Sequence, residues 1–102
     1  MTGSVVVLIP AYKPDAKMLP LCRALRGKGL DVLLVDDGGG AQYRPLFDEA
    51  EALGCAVVHH AVNLGKGRAL KTGLNEALNR YESLAGVVTA DADGQHAPED
   101  IV

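Results

Sequence analysis

Four short apolar runs limit what this chain can fold into: Val5-Val6-Val7-Leu8-Ile9, Val32-Leu33-Leu34-Val35, Cys55-Ala56-Val57-Val58-His59 and Val87-Val88-Thr89-Ala90. They are rich in valine and do not alternate with polar residues, which is the pattern of strands covered on both faces. The segments between them have helical periodicity. Met18, Leu21, Cys22 and Leu25 recur at helical spacing behind Asp15 as a cap, with Pro20 near the first turn and Gly27 and Gly29 as the stop. Leu46, Phe47, Ala50 and Leu53 mark a second helix closed by Gly54. A third starts near Arg68 and carries Leu70, Leu74, Ala77, Leu78 and Tyr81 on one side, with Gly73 permitting close packing. The order is β-α-β-α-β-α-β. Crossovers of this kind are right-handed, so the expectation is a parallel sheet with helices on both faces, a Rossmann-like α/β fold in one domain.

Two of the four runs end in acid. Asp36-Asp37 is followed by Gly38-Gly39-Gly40, and Asp91-Ala92-Asp93 by Gly94-Gln95-His96. Ligands of open parallel sheets bind at the carboxyl edge, so Tyr12, Asp36, Asp37, Asp91 and Asp93 are expected to converge there. Residues two apart in extended chain point the same way, which sets Asp91 and Asp93 roughly 7 Å apart. Drawn to about 4 Å, two carboxylates repel by about 4 kcal/mol at an effective dielectric near 20, which favours a cation between them. Mg²⁺ suits such oxygen ligands and keeps positions open for phosphates, and Gln95 adds a neutral oxygen. Taken alone, the pair reads equally as solvated turn residues before a helix. A nucleoside diphosphate matches both acid pairs: one reads a base or sugar, and the other holds the metal that binds the phosphates.

Composition narrows the partners. The 102 residues are 48% hydrophobic and 23% charged, ordinary for a soluble globular domain. With 10 basic and 13 acidic residues and a net charge of -3, the chain has no footprint for nucleic acid and no basic patch for a membrane surface. Cys22 and Cys55 lack C-x-x-C spacing and read as small core residues. No apolar run approaches the roughly 20 residues of a spanning helix, and Val5 to Ile9 lacks the basic start of a signal peptide, so the cytoplasm is the expected location. Familiar phosphate motifs fail. Gly65-Lys66-Gly67 has His60 where a P-loop needs its first glycine and no hydroxyl after Lys66; no G-x-G-x-x-G follows the first strand; and Gln95 and His96 break the EF-hand pattern.

Four segments in order carry a resemblance: Ile9-Pro10-Ala11-Tyr12, Val35-Asp36-Asp37-Gly38, Asn63-Leu64-Gly65-Lys66-Gly67-Arg68-Ala69 with Gly73, and Asp91-Ala92-Asp93-Gly94-Gln95-His96. They resemble the motifs of the family 2 inverting glycosyltransferases, which have the GT-A fold and include dolichyl- and polyprenyl-phosphate sugar synthases. The resemblance covers essentially the whole chain. It implies that residues 1-102 are the nucleotide-sugar-binding, N-terminal half of a GT-A domain, cut off after the D-x-D motif. It also implies that Pro10, Ala11 and Tyr12 line the nucleobase pocket, that Asp36 and Asp37 read base and ribose, and that Lys66, with Lys13, supports base or phosphate. Asp91, Asp93 and Gln95 would hold Mg²⁺ or Mn²⁺, with Ala92 against the nucleotide. Departures are equally specific: Lys13-Pro14 replaces the Asn-Glu of many members, Gly39 replaces the Ser common after Asp-Asp-Gly, and Gly94 replaces the Leu typical of dolichyl-phosphate synthases.

The implied reaction is metal-dependent sugar transfer, with inversion, from a UDP- or GDP-linked donor to a polyprenyl phosphate or a saccharide. The general base and acceptor site are expected beyond residue 102, so the isolated chain is expected to bind nucleotide without turnover and to self-associate through an exposed sheet edge. The longer protein would work at the inner face of the membrane. Two other readings remain. One is a non-catalytic nucleotide-binding fragment. The other is a haloacid-dehalogenase-like phosphohydrolase, whose D-x-D-G follows the first strand and continues with Thr, where this chain has its motif after the fourth strand and Gln95.

Overall fold

The computed structural model describes residues 4–81 and 84–90. Strand β1 (Ser4–Ala11) leads to helix α1 (Met18–Gly27), β2 (Asp31–Asp36), a 3-10 turn (Ala41–Tyr43), α2 (Arg44–Ala52), β3 (Ala56–His59), α3 (Lys66–Arg80) and β4 (Leu84–Thr89). All pairings are parallel and the strand order is β3-β2-β1-β4. The expected Rossmann-like α/β architecture is therefore present. Successive strands step outward from β1 on one side, and then the chain crosses back to place β4 on the other. Between β1 and β4 lies the switch point, where sheets of this type open a crevice.

Alternation along β1 explains why its apolar run is unbroken. Val7, Ile9 and Ala11 face one side with Val32 and Leu34, packing on Met18, Leu21, Cys22 and Leu25 of α1 and Phe47 and Ala50 of α2. Val6 and Leu8 face the other with Leu33 and Val35, under Ala69 and Ala77 of α3. The thiols of Cys22 and Cys55 meet in the first of these clusters, and hydrogen bonding to Cys55 together with burial pushes the Cys22 thiol up. Both are core residues, as their apolar surroundings in sequence indicate.

Several boundaries differ from the sequence expectation, each for a local reason. Asp15 does not cap α1 directly: its carboxylate accepts from Lys17 N at 2.9 Å and its carbonyl from Met18 N at 3.2 Å, forming a turn ahead of the helix. Pro20 is the third residue of α1, where the missing N–H has no intrahelical partner to lose. β1 runs through Pro10 to Ala11 instead of stopping at the proline. Backbone hydrogen bonds show why. Ala11 O accepts from Asp37 N at 2.9 Å and Leu8 O from Ala90 N at 3.1 Å, so odd positions of β1 bond to β2 and even ones to β4. Pro10 belongs to the even set. It keeps its place beside Val35 of β2, but has no N–H to continue the ladder toward β4.

Leu74 and Leu78 on the outer side of α3 are 45% and 64% exposed, and β4 carries no charged residue along its edge. The expectation of self-association rests on this face and edge.

Gly73 is where α3 comes closest to the sheet, because a Cβ there would overlap the side chain of Leu8. Leu8 lies on a strand paired on both sides and cannot retreat. Gly73→Ala gains up to about 1 kcal/mol of helix propensity but incurs about 2–3 kcal/mol of overpacking. The net expectation is a loss of about 1–2 kcal/mol, read in urea unfolding as a lower midpoint at unchanged slope.

Candidate functional site

The carboxyl ends of β1 and β2 and the entry to α3 enclose an open cleft of about 340 Å³, lined by Pro10, Ala11, Tyr12, Asp37, Asn63, Gly65 and Lys66. That volume lies within the range of small-molecule sites. One wall is apolar, made by the end of β1, with the ring of Tyr12 half in solvent. The other is polar and is built on Asp37.

Asp37 is only 3% exposed, and its carboxylate is fully engaged. Oδ1 accepts from Leu64 N at 3.0 Å and pairs with His60 Nδ1 at 2.8 Å; Oδ2 accepts from Asn63 Nδ2 at 3.1 Å and Gly65 N at 3.1 Å. Asn63 also donates to the Asp37 carbonyl at 3.2 Å. A carboxylate has about four acceptor sites, so this one is saturated by the loop it holds. His60 extends the bracket, because its Nε2 lies 2.9 Å from Thr72 Oγ1 on α3. Gly38 completes the arrangement: its φ is 74°, and a side chain there would overlap the backbone of Val62 and Asn63. The β2 loop and the loop into α3 are thereby fastened face to face. Asp-His-Thr in this order resembles a proton relay, but neither His60 nor Thr72 lines the cleft. Its work is to fix the loop to the helix.

Asp36 does different work. Adjacent strand residues face opposite sides, and Asp36 turns toward α2, pairing its Oδ2 with His59 Nδ1 at 2.7 Å. The imidazole of His59 in turn packs edge-on against Phe47 at 5.8 Å between centroids. The other oxygen of Asp36 is buried with no hydrogen-bond partner among the described residues.

The structure thus brings together Pro10, Ala11, Tyr12, Asp37 and Lys66 of the expected site, and Asp36 lies behind the wall. Asp91, Ala92, Asp93 and Gln95 lie outside the described residues. The bond from Ala90 N to Leu8 O brings the end of β4 to the same edge of the sheet as the cleft. Among the described residues no group of three His, Cys, Asp or Glu side chains could hold a metal ion. Asn63 and Gly65 also line the cleft. In sequence they were part of a glycine-rich loop, and their link to Asp37 had no local signal because it spans 26 and 28 residues.

Replacing Asp37 by Ala removes the acceptor of the Leu64 and Gly65 amides, the Asn63 side chain and His60 at once. The expected cost is about 3 kcal/mol or more in urea unfolding. Hydrogen exchange should show Leu64 and Gly65 losing protection well before the β1 and β2 amides.

Comparison with known proteins gives the family. The sequence matches the family described as Glycosyl transferase family 2 over residues 6–101. It is 30% identical over 95% of its length to a UDP-N-acetylglucosamine–dolichyl-phosphate N-acetylglucosaminyltransferase of Methanococcus voltae. It is 35% identical over 95% to an undecaprenyl-phosphate 4-deoxy-4-formamido-L-arabinose transferase of Pseudomonas paraeruginosa, and 33% over 98% to a polyprenol monophosphomannose synthase of Mycolicibacterium smegmatis. The chain spans 44%, 30% and 39% of those three proteins, less than half of each. With a four-stranded parallel sheet in the order β3-β2-β1-β4 and a match running nearly end to end, the chain belongs to glycosyltransferase family 2.

Proposed function

We propose that this chain is the donor-binding part of a metal-dependent, inverting glycosyltransferase that moves a sugar from a nucleoside diphosphate to a polyprenyl phosphate. The observation that carries this reading is the cleft at the carboxyl edge of the sheet, apolar on the β1 side and polar on the Asp37 side, with β4 ending at the same edge just before Asp91. Pro10, Ala11 and Tyr12 offer flat apolar contact to a base. Asn63, Gly65 and the saturated Asp37 set the polar contacts in one geometry. Contact between the Asp37 carboxylate and base or ribose exchanges one of its present donors, while Asp36 supports the wall from behind through His59. Lys66 opens α3, so its ammonium and the positive end of a 15-residue helix lie together at the cleft, where phosphate is favoured.

Asp91, Asp93 and Gln95 are assigned to Mg²⁺ or Mn²⁺, and Ala92 to the nucleotide. The donor set is all oxygen, which fits a hard divalent ion. Bound there, such an ion neutralises charge on the leaving diphosphate. The relatives named for dolichyl phosphate, undecaprenyl phosphate and polyprenol support a lipid-phosphate acceptor. A phosphate nucleophile needs no base to become reactive, whereas a sugar hydroxyl does. Such an acceptor brings the longer protein to a membrane surface. No helix among the described residues is long and apolar enough to cross one.

The test is a thermal-shift panel of nucleoside diphosphates with and without Mn²⁺. UDP or GDP at about a hundredfold over its dissociation constant should raise the melting temperature on the order of 10 °C with metal present. Tyr12→Ala and Asp93→Asn should each remove most of that rise, and the 102-residue chain alone should transfer no sugar. A chain indifferent to every nucleotide that instead releases phosphate from a simple phosphoester sinks the reading.

A further inference from the structure

Lys13, which the resemblance pairs with Lys66 as a support for base or phosphate, does not line the cleft, and its backbone is unusual. Among the described residues it is the one non-glycine residue with positive φ, at 49°. Side-chain-bearing residues seldom adopt this conformation, and it persists where the surroundings hold it. Pro14 disfavours the right-handed helical region for the residue before it. Gly39, in the loop after β2, packs against Lys13: a Cβ on Gly39 would come within 3.1 Å of Lys13 N and 3.4 Å of its Cγ, and within 3.2 Å of Tyr43 Cδ2.

Two departures from the family pattern are therefore one structural exchange. The room that a Ser side chain would take after Asp-Asp-Gly is bordered at Gly39 by the backbone and stem of Lys13 and by the Tyr43 ring. The ammonium stands 5.3 Å from the centroid of the Tyr12 ring, which belongs to the apolar wall of the cleft. Contact with a π face leaves ammonium N–H groups for acceptor oxygens. None of the ion pairs among the described residues involves Lys13. A cation on a backbone held in an uncommon conformation, with no counter-charge among the described residues, rests on a ring that lines a cleft whose buried acid is already saturated. That combination selects an anion.

We propose that Lys13 is a specificity-determining residue: its ammonium binds the phosphate oxygens of the nucleotide whose base the cleft holds, so that the charged nucleotide is preferred over its nucleoside. This rests on reading the cleft as a nucleotide site. Where many members of the family present an amide after the tyrosine, this chain presents a charge.

Titration calorimetry of the 102-residue chain with UDP, GDP, uridine and guanosine, in Mg²⁺ at low and high salt, separates the two readings. Lys13→Gln keeps most of the stem and should weaken the preferred diphosphate about five- to tenfold, leave its nucleoside unchanged and flatten the salt dependence. Lys13→Arg should retain binding. Gly39→Ser, which presses on the Lys13 backbone and the Tyr43 ring, should weaken the preferred diphosphate more than its nucleoside with Lys13 intact. If Lys13→Gln leaves diphosphate binding intact, or weakens nucleoside and diphosphate alike, the assignment is overturned while the cleft reading stands. If the wild-type chain binds neither nucleoside nor diphosphate, both fall together.

Discussion

A buried carboxylate that accepts four hydrogen bonds is the constraint on which the site depends. Desolvating a carboxylate costs several kcal/mol unless its lone pairs are met, and charge-assisted bonds to backbone amides are among the strongest ways to meet them. Asp37 meets this requirement only if Leu64 and Gly65 present their amides at one spot and Asn63 and His60 close the sides. The loop ahead of α3 therefore has little freedom once β2 is formed. A segment that would otherwise be a mobile glycine-rich connector becomes one wall of a cleft. Gly38 is the matching requirement on the other chain, since the two loops meet backbone to backbone there.

The paired acids after β2 illustrate how strand geometry divides labour between neighbours. Both are buried and both hold a histidine from the end of β3, yet they do so on opposite faces of the sheet. Asp36 with His59 joins the α2 side through Phe47, and Asp37 with His60 joins the α3 side through Thr72. Two acid–histidine pairs in register thus tie β2 to β3 just where the ladder ends. The tie matters because β3 is an edge strand of four residues, too short for its backbone bonds alone to fix the loop that follows.

The same division explains what was legible in the sequence. Unbroken valine-rich runs announce strands covered on both faces; the clusters above and below β1 and β2 bear that out from Val6 onward, whereas the edge strands β3 and β4 are only partly buried. Gly73 as a point of close packing was legible too, since a glycine on the buried face of a helix has few other uses. The acid pair was legible as a pair at the carboxyl edge, and Pro10, Ala11, Tyr12 and Lys66 were legible as cleft residues through their motifs. The link between Asp37 and residues 60 to 65 was not, and neither was the turn of Asp36 away from the cleft. Each depends on which strand lies beside β2, and that is decided by the strand order of the whole sheet. His59 and His60 read as unremarkable strand-end residues because their partners lie 23 positions earlier.

Pro10 shows how a local rule can be read correctly and its consequence missed. A proline after an apolar run signals that pairing is about to fail, and in the structure it does fail, but on one side only. On the β2 side β1 continues to Ala11, because the odd residues do the bonding there and Ala11 O receives the Asp37 amide. On the β4 side the position that should donate next is the one that has no hydrogen to give. β1 thus stays joined to the strand that carries the acid clamp and ends its donors toward the strand that leads to the D-x-D motif. Such a one-sided stop keeps β1 joined to β2 without weakening the sheet below, and Tyr12 and Lys13 follow β1 at that end. The imide at position 10 thus ends the donors on one side of β1 and, on the other, lines the cleft beside Ala11 and Tyr12.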